Sequence, residues 1–249
     1  MENAPVINLS SRSPAPRADA AVYERYVKWG NEVYAPLQMK IPEVTGQDTY
    51  QITRENPEYG SRAGISHRKN LRDWKAARES SEIKAIIGEL ASWTERGITD
   101  QIYGAAYALI KSFRGKPVFS SDNQDNRIEN APIMHLEAYR LSAEEQEKYL
   151  EWFNDFGCPV FMPLFLKLPG LAGYDWYKDT GLRGGIREEK GWEYPEYLSI
   201  IYFENLKAYE DFVKSPELAG FQKSIRSVLP RRLGYIWYVQ YQLEKSWRK

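Results

Sequence analysis

The segments YAPLQMKIPEVTGQDTY (residues 34–50) and FMPLFLKLPGLAGYDWY (residues 161–177) are two versions of one text. Aligned without a gap they share Pro36/Pro163, Leu37/Leu164, Lys40/Lys167, Pro42/Pro169, Gly46/Gly173, Asp48/Asp175 and Tyr50/Tyr177. The offset is 127 residues, and it also sets APVINL from Ala4 on APIMHL from Ala131. Farther on, NLRDWKAARESSEI from Asn70 meets NLKAYEDFVKSPEL from Asn205 at an offset of 135. YALIKSFRG from Tyr107 meets YQLEKSWRK from Tyr241 at 134. Matches that recur in order at nearly constant spacing mark an internal duplication. The step from 127 to 135 puts eight extra residues in the second copy. DTGLRGGIREEKG (179–191), rich in Gly and charge, reads as the loop that holds them.

Each copy reads in one order. PIMHLEAYRL (132–141) is a short strand. SAEEQEKYLEWFNDFGCPVFMPLF (142–165) opens on an N-cap serine, Ser142, with an acidic first turn. Leu150, Trp152, Phe153, Phe156 and Val160 give that helix an apolar face, and Pro163 and Pro169 are expected to break it. A strand follows around 173–177, then the β-branched and aromatic EYLSIIYF (196–203). ENLKAYEDFVKSPELAGFQKSIRSVL (204–229) is helical, interrupted at Ser215–Pro216, and RLGYIWYVQYQLEKSW closes as a strand. The order β-α-β-β-α-β predicts an α+β chain of two tandem ferredoxin-like repeats. We place them at 1–115 and 131–249, joined by a polar, turn-rich linker at 116–130. Such a repeat leaves one sheet face uncovered, so two in one chain are expected to pack sheet to sheet as an intrachain α+β barrel.

Composition sets bounds. Lys+Arg and Asp+Glu both number 34, so no net field draws in nucleic acid or an anionic membrane. No apolar run approaches the length of a membrane span, and the first residues do not read as a secretory signal, so a cytoplasmic protein is expected. The single cysteine, Cys158, precludes an intrachain disulfide and reads as a small buried hydrophobe. The 18 Tyr and 8 Trp suit either an aromatic-rich core or a pocket for a flat ligand. No Walker, Gly-x-Ser-x-Gly or dinucleotide fingerprint occurs, and the two histidines lack metal-site spacing, so neither cofactor nor metal is expected.

HLEAYRL followed by YPEYLSIIYFENLKAYEDFVKSPELAGF resembles the dimeric α+β barrel superfamily, which includes EthD-like, antibiotic-biosynthesis monooxygenase-like and stress-responsive barrel proteins. The Asn-Leu-x-x-Tyr-x-x-Phe-x-x-Ser-Pro-x-x-x-Gly-Phe stretch carries the likeness best. In a polyketide cyclase of this superfamily one catalytic histidine corresponds to His135. Tyr197 stands where that enzyme has a second histidine, and Phe212 where it has a tyrosine. The resemblance therefore implies a cofactor-independent enzyme, monooxygenase-, cyclase- or isomerase-like, acting on an aromatic or polyketide-like substrate.

His135 is the expected acid/base, oriented by Asp175 or by Glu137, which shares its strand face. Tyr139, Trp176, Tyr177, Tyr197 and Phe212 are the expected pocket walls, though core packing serves each of them equally. His135 corresponds to Asn8 in the first copy, an asymmetry that a single retained site would produce. His67 reads as a solvated histidine at a strand end, and the Gly-x-Asp-x-Tyr pattern of both copies reads as a turn capped by Asp48 or Asp175. Two alternatives stand beside the enzyme: a non-catalytic ligand-binding or assembly module, and a haem protein of the chlorite dismutase-like type, which is also a tandem chain. A homodimer of tandem units is compatible with each.

Overall fold

A computed structural model of the chain describes residues 2–54, 60–114, 132–183, 194–228 and 234–249. The expected linker at 116–130 lies outside the described residues, as does most of the 179–191 loop. The elements run β1 (Val6–Pro14), α1 (Ala20–Trp29), a π-helical segment (Gly30–Tyr34), α2 (Ala35–Lys40), β2 (Val44–Ile52), β3 (Arg62–Arg68), α3 (Leu71–Glu79), α4 (Ser81–Glu95) and β4 (Thr99–Arg114). The same order follows as β5 (Ile133–Arg140), α5 (Ala143–Trp152), a π-helical segment (Phe153–Phe161), α6 (Met162–Phe165), β6 (Leu171–Arg183), β7 (Tyr197–Phe203), α7 (Leu206–Val213), α8 (Pro216–Val228) and β8 (Gly234–Arg248). The chain is α+β, and its strand pairings are antiparallel.

The residues divide into two compact units. Unit 1 is Met1–Ile110 with Lys178–Tyr194 and Leu243–Lys249; unit 2 is Lys111–Tyr177 with Pro195–Gln242. Strands β4, β6 and β8 therefore each start in one unit and end in the other. In unit 1, β1 lies between β3 and β4, and β3 pairs with β2. In unit 2, β5 lies between β7 and β8. The registers agree residue for residue. Asn8 is opposite Ser66 and Ala106; His135 is opposite Ile201 and Gln240, displaced by the 127, 135 and 134 of the sequence match. The bulge between Ser11 and Arg12 recurs between Ala138 and Tyr139.

Local chemistry repeats too. Asn70 accepts from the Asp73 backbone N–H at the start of α3, and Asn205 from Ala208 at the start of α7. Ser80 and Ser215 cap the helices that follow, through the N–H groups of Ile83 and Leu218. Ser142 and Glu145 form the capping box expected at α5. Pro163 does not break the chain's helical course, as the sequence reading had it. It sits in the first turn of α6, where its missing N–H costs nothing. Pro159 lies inside the preceding π-helical segment. Phe156 and Val160, assigned to the buried helix face, are exposed (41% and 37%), because the π-helical winding turns them outward from the stripe that buries Phe153 and Phe161.

Unit 2 is built on an aromatic core in which Tyr139, Tyr149, Phe153, Tyr174, Trp176, Tyr197, Phe203 and Phe212 join residues of α5–α8. Every residue of β7 is buried, so both faces of that strand are covered. In unit 1, buried clusters form around Trp74, around Ile83 and around Tyr26.

Candidate active site at His135

His135 lies mid-strand in β5, on the face that carries Ile133, Glu137 and Tyr139, and is 1% exposed. Its Nε2 is 3.1 Å from Oε1 of Glu137, two residues along the same face. Its Nδ1 is 2.9 Å from Nε2 of Gln240, which lies directly opposite on β8. With the Gln240 amide so oriented, Nδ1 accepts and Nε2–H donates to the carboxylate. The Tyr238 ring meets the imidazole edge-on at 4.5 Å, and the Tyr209 ring lies 5.3 Å away. Burial raises both phenols, and Glu137 adds to the shift. Both are therefore protonated donors at neutral pH. Tyr238 is 41% exposed and forms the outer side of the constellation.

The carboxylate within hydrogen-bond distance of His135 is that of Glu137. The Asp175 carboxylate is held instead by Ser112 Oγ at 2.6 Å, Tyr177 Oη at 3.1 Å and Arg114. Asp48 has the matching arrangement. Arg248 Nη2 donates to its Oδ2 at 2.8 Å, and His67 Nε2 sits 2.7 Å from the same oxygen. His67 is thus hydrogen-bonded to a buried carboxylate at 26% exposure rather than solvated, and neither aspartate caps a turn. Asp48 and Asp175 are both 1% exposed and sit within strands, where only side-chain partners reach them.

The expected pocket walls are in unit 2, packed on one another. Trp176 Nε1 donates to Tyr139 Oη at 2.9 Å, and Tyr139 and Tyr149 share a 3.0 Å hydrogen bond. Tyr197 stacks on Tyr139 and on Trp176, with centroids 5.7 and 5.5 Å apart. Phe212 packs against Phe165 and Phe203, each 5.2 Å away. Tyr177 lies with Asp175, and Tyr139, Trp176, Tyr177, Tyr197 and Phe212 are all at most 4% exposed. None of these rings is a ring contact or hydrogen-bond partner of His135 among the described residues. The side chains that do surround it, Tyr209, Tyr238 and Gln240, escaped the sequence reading. The available signal for Tyr209 was its place one turn before Phe212 on the same helix; for Gln240 it was the 134-residue match to Ala106.

No family model matches the chain, and no curated protein does. Solved structures do. A candidate monooxygenase of Fusobacterium nucleatum superposes with a TM-score of 0.63 at 8% identity, covering 100% of this chain and 96% of its own. An anthrone oxidase-like protein gives 0.59 at 12%, covering 100% and 94%. A point mutant of chlorite dismutase from Candidatus Nitrospira defluvii gives 0.56 at 12%, covering 98% and 93%. At such identity the likeness carries the fold, an α+β barrel type shared by monooxygenase-named and chlorite dismutase-like proteins, and no chemistry.

The last of these raises the question of haem. His135 does not fit an axial ligand, since both ring nitrogens are bonded within the protein and two tyrosine rings pack against it. His67, the other histidine, uses Nε2 on Asp48. Among the described residues no three His, Cys, Asp or Glu side chains gather as a metal site, and no helix is long and apolar enough to cross a membrane.

Proposed function

We propose that the chain is a small-molecule enzyme of the monooxygenase-like α+β barrel kind, working on an oxygenated aromatic or polyketide-like substrate, with His135 as acid/base. The observation that carries this reading is the Glu137–His135–Gln240 chain. A carboxylate holds one imidazole N–H, the other nitrogen keeps its lone pair, and an amide and two phenols stand beside it. The tandem reading belongs with it. Each half is a ferredoxin-like repeat, supported by the shared registers and bulges, and the second half has kept the site. The first half has Asn8, Ser10, Trp74 and Ala106 where the second has His135, Glu137, Tyr209 and Gln240. Kinship with EthD-like and antibiotic-biosynthesis monooxygenase-like proteins rests on the α7–α8 motif.

In the reaction, the substrate's acidic C–H or O–H takes the place of the Gln240 amide at Nδ1. His135 accepts the proton, and Glu137 stabilises the imidazolium that forms. The displaced Gln240 amide and the Tyr209 and Tyr238 hydroxyls then donate to the oxyanion that develops on the substrate. With dioxygen as co-substrate, a methylene carbanion adds O2 to give a peroxide, which takes its proton back from His135. Loss of the second C–H proton with cleavage of the O–O bond leaves a ketone and water. Entry is past Tyr238, the half-exposed ring.

The test is oxygen uptake, or formation of product, over anthrone-type and polyhydroxylated aromatic compounds. A turnover that His135→Gln lowers by about 10²–10⁴-fold supports the reading. Equal rates in wild type and His135→Gln, with both folded, refute it. A second reading, a non-catalytic ligand-binding or assembly module, is favoured by the enclosure of His135 and by the filled aromatic core of unit 2. It predicts that His135→Gln changes stability alone.

A further inference from the structure

Unit 1 holds a partly open cavity of about 70 Å³ lined by residues of β1–β3, α1 and α4. Tyr26, Trp29 and Tyr34 give it an aromatic wall, with the Trp29 ring 6.3 Å from Tyr26 and 5.6 Å from Tyr34. Gln47 and Thr49 of β2 bring neutral polar groups to the same lining. At the 127-residue offset these two correspond to Tyr174 and Trp176, so two rings of the second copy are an amide and a small hydroxyl in the first. Arg12 and Arg62 also line the cavity, and Arg62 is ion-paired with Glu244.

Two independent features say what the lining lacks. Among the described residues, Trp29 Nε1, Gln47 Oε1 and Thr49 Oγ1 are buried atoms with no hydrogen-bond partner. Gln47 is 3% exposed, and its Nε2 donates to the Asp48 carbonyl, which leaves Oε1 as an acceptor in need of a donor. Buried polar atoms left unpaired are costly and therefore rare. The second feature is a hydrogen-bond chain of fixed direction that ends at Tyr34. A guanidinium only donates, so Arg68 Nη1 gives to Ser66 Oγ at 2.6 Å, Ser66 Oγ to Gln38 Oε1 at 2.8 Å, and Gln38 Nε2 to Tyr34 Oη at 2.6 Å. Tyr34 Oη accepts from this chain and keeps its own proton to donate. Burial raises its pKa, so that proton stays in place at neutral pH. Tyr34 belongs to the π-helical Gly30–Tyr34 segment, a winding often found at functional sites.

We infer that unit 1 carries a binding site for a neutral single-ring phenol. The ring lies against Tyr26, Trp29 and Tyr34. Its hydroxyl donates to Gln47 Oε1 and accepts from the Tyr34 O–H or the Trp29 N–H, while Thr49 can serve in either sense. A phenol places a donor and an acceptor on one atom, which is what this lining calls for. A benzoate has no donor for Gln47 Oε1, and an aryl ether has none either. The volume is well under the roughly 300–1,000 Å³ of sites for drug-sized ligands, which limits the occupant to about one ring. The site shares no residue with the His135 constellation and does not depend on it.

The experiment is a calorimetric titration of the full chain with phenol, with anisole and benzoate alongside. Saturable binding of phenol at or below about 1 mM is expected, well within what seven heavy atoms can supply. Anisole, which keeps the ring and the acceptor but loses the donor, should bind about 5-fold more weakly, the scale of one hydrogen bond, and benzoate more weakly still. Gln47→Leu should remove the preference for phenol over anisole. Tyr34→Phe, a gentler change that serves if Gln47→Leu does not fold, should weaken phenol about 5-fold. His135→Gln should leave phenol binding unchanged, so failure here and failure of the His135 reading are separable. Three results overturn the inference: no saturation by about 10 mM, which leaves the cavity to water; anisole or benzoate binding as tightly as phenol; or wild-type affinity in a folded Tyr34→Phe protein.

Discussion

Asp48 and Asp175 show how much a single side chain depends on what reaches it. Burial opposes ionisation of Asp48, but His67 and Arg248 outweigh it and hold the carboxyl below its ordinary 3.8. A depressed native pKa contributes stability that is fully present above about 3.8 and is lost as pH falls through the lower native value. Asp48→Asn should therefore cost about 2 kcal/mol at pH 7, the scale of hydrogen bonds to a buried charge, with the penalty shrinking as pH falls below about 3.8. Melting temperatures of the two proteins at pH 7 and pH 2.5 check this; an undiminished gap at pH 2.5 contradicts it. Trp176, 1% exposed and bonded to Tyr139, belongs to the same scale. Trp176→Ala should destabilise the chain by about 3–5 kcal/mol in denaturant unfolding.

At the scale of the element, the Gly-x-Asp pattern has a steric cause. A Cβ on Gly46 would lie 2.9 Å from Arg248 Nη1, and one on Gly173 would lie 3.1 Å from Arg114 Cδ and 3.0 Å from the Phe113 carbonyl. Each glycine thus leaves the opening through which an arginine crosses to the aspartate two residues on. The arginines are the last residue of β4 and of β8, which explains why YALIKSFR and YQLEKSWR end alike. Gly46→Ala should cost about 1–2 kcal/mol in wild type, by pushing the guanidinium off Asp48. It should cost much less in an Arg248→Ala background. A double-mutant cycle by urea unfolding measures the coupling, and strict additivity would show that the arginine is not what the glycine accommodates.

At the scale of the molecule, the compact units do not follow the sequence halves. Residues 243–249 belong to unit 1 with 1–110, although the sequence reading places them in the expected second repeat. Arg248 holds Asp48, Glu244 holds Arg62, and the Lys249 backbone N–H bonds the Thr45 carbonyl. Removing 243–249 should therefore raise amide exchange in β2 and β3 more than in β5 and β7. Hydrogen–deuterium exchange reads this out, and exchange that rises chiefly in β5 and β7 would assign the tail to the other unit. The boundary expected between 115 and 131 separates segments that one compact unit brings together.

Much of this was legible in one sequence. Periodicity, caps and the 127–135 offsets located strands, helices and their order, because those signals are local or recur at fixed spacing. The partners of His135 were not, since Gln240 lies 105 residues away along the chain and reaches it only through the β5–β8 register. The expected pocket residues Tyr139, Trp176 and Tyr197 pack on one another in unit 2. That packing is a property of side chains brought together from separate strands and helices. So the sequence determined the duplicated order of elements, through local propensity and self-similarity. The tertiary structure alone decided which aspartate meets which arginine and which side chains reach His135, because both depend on distances between residues far apart in the chain.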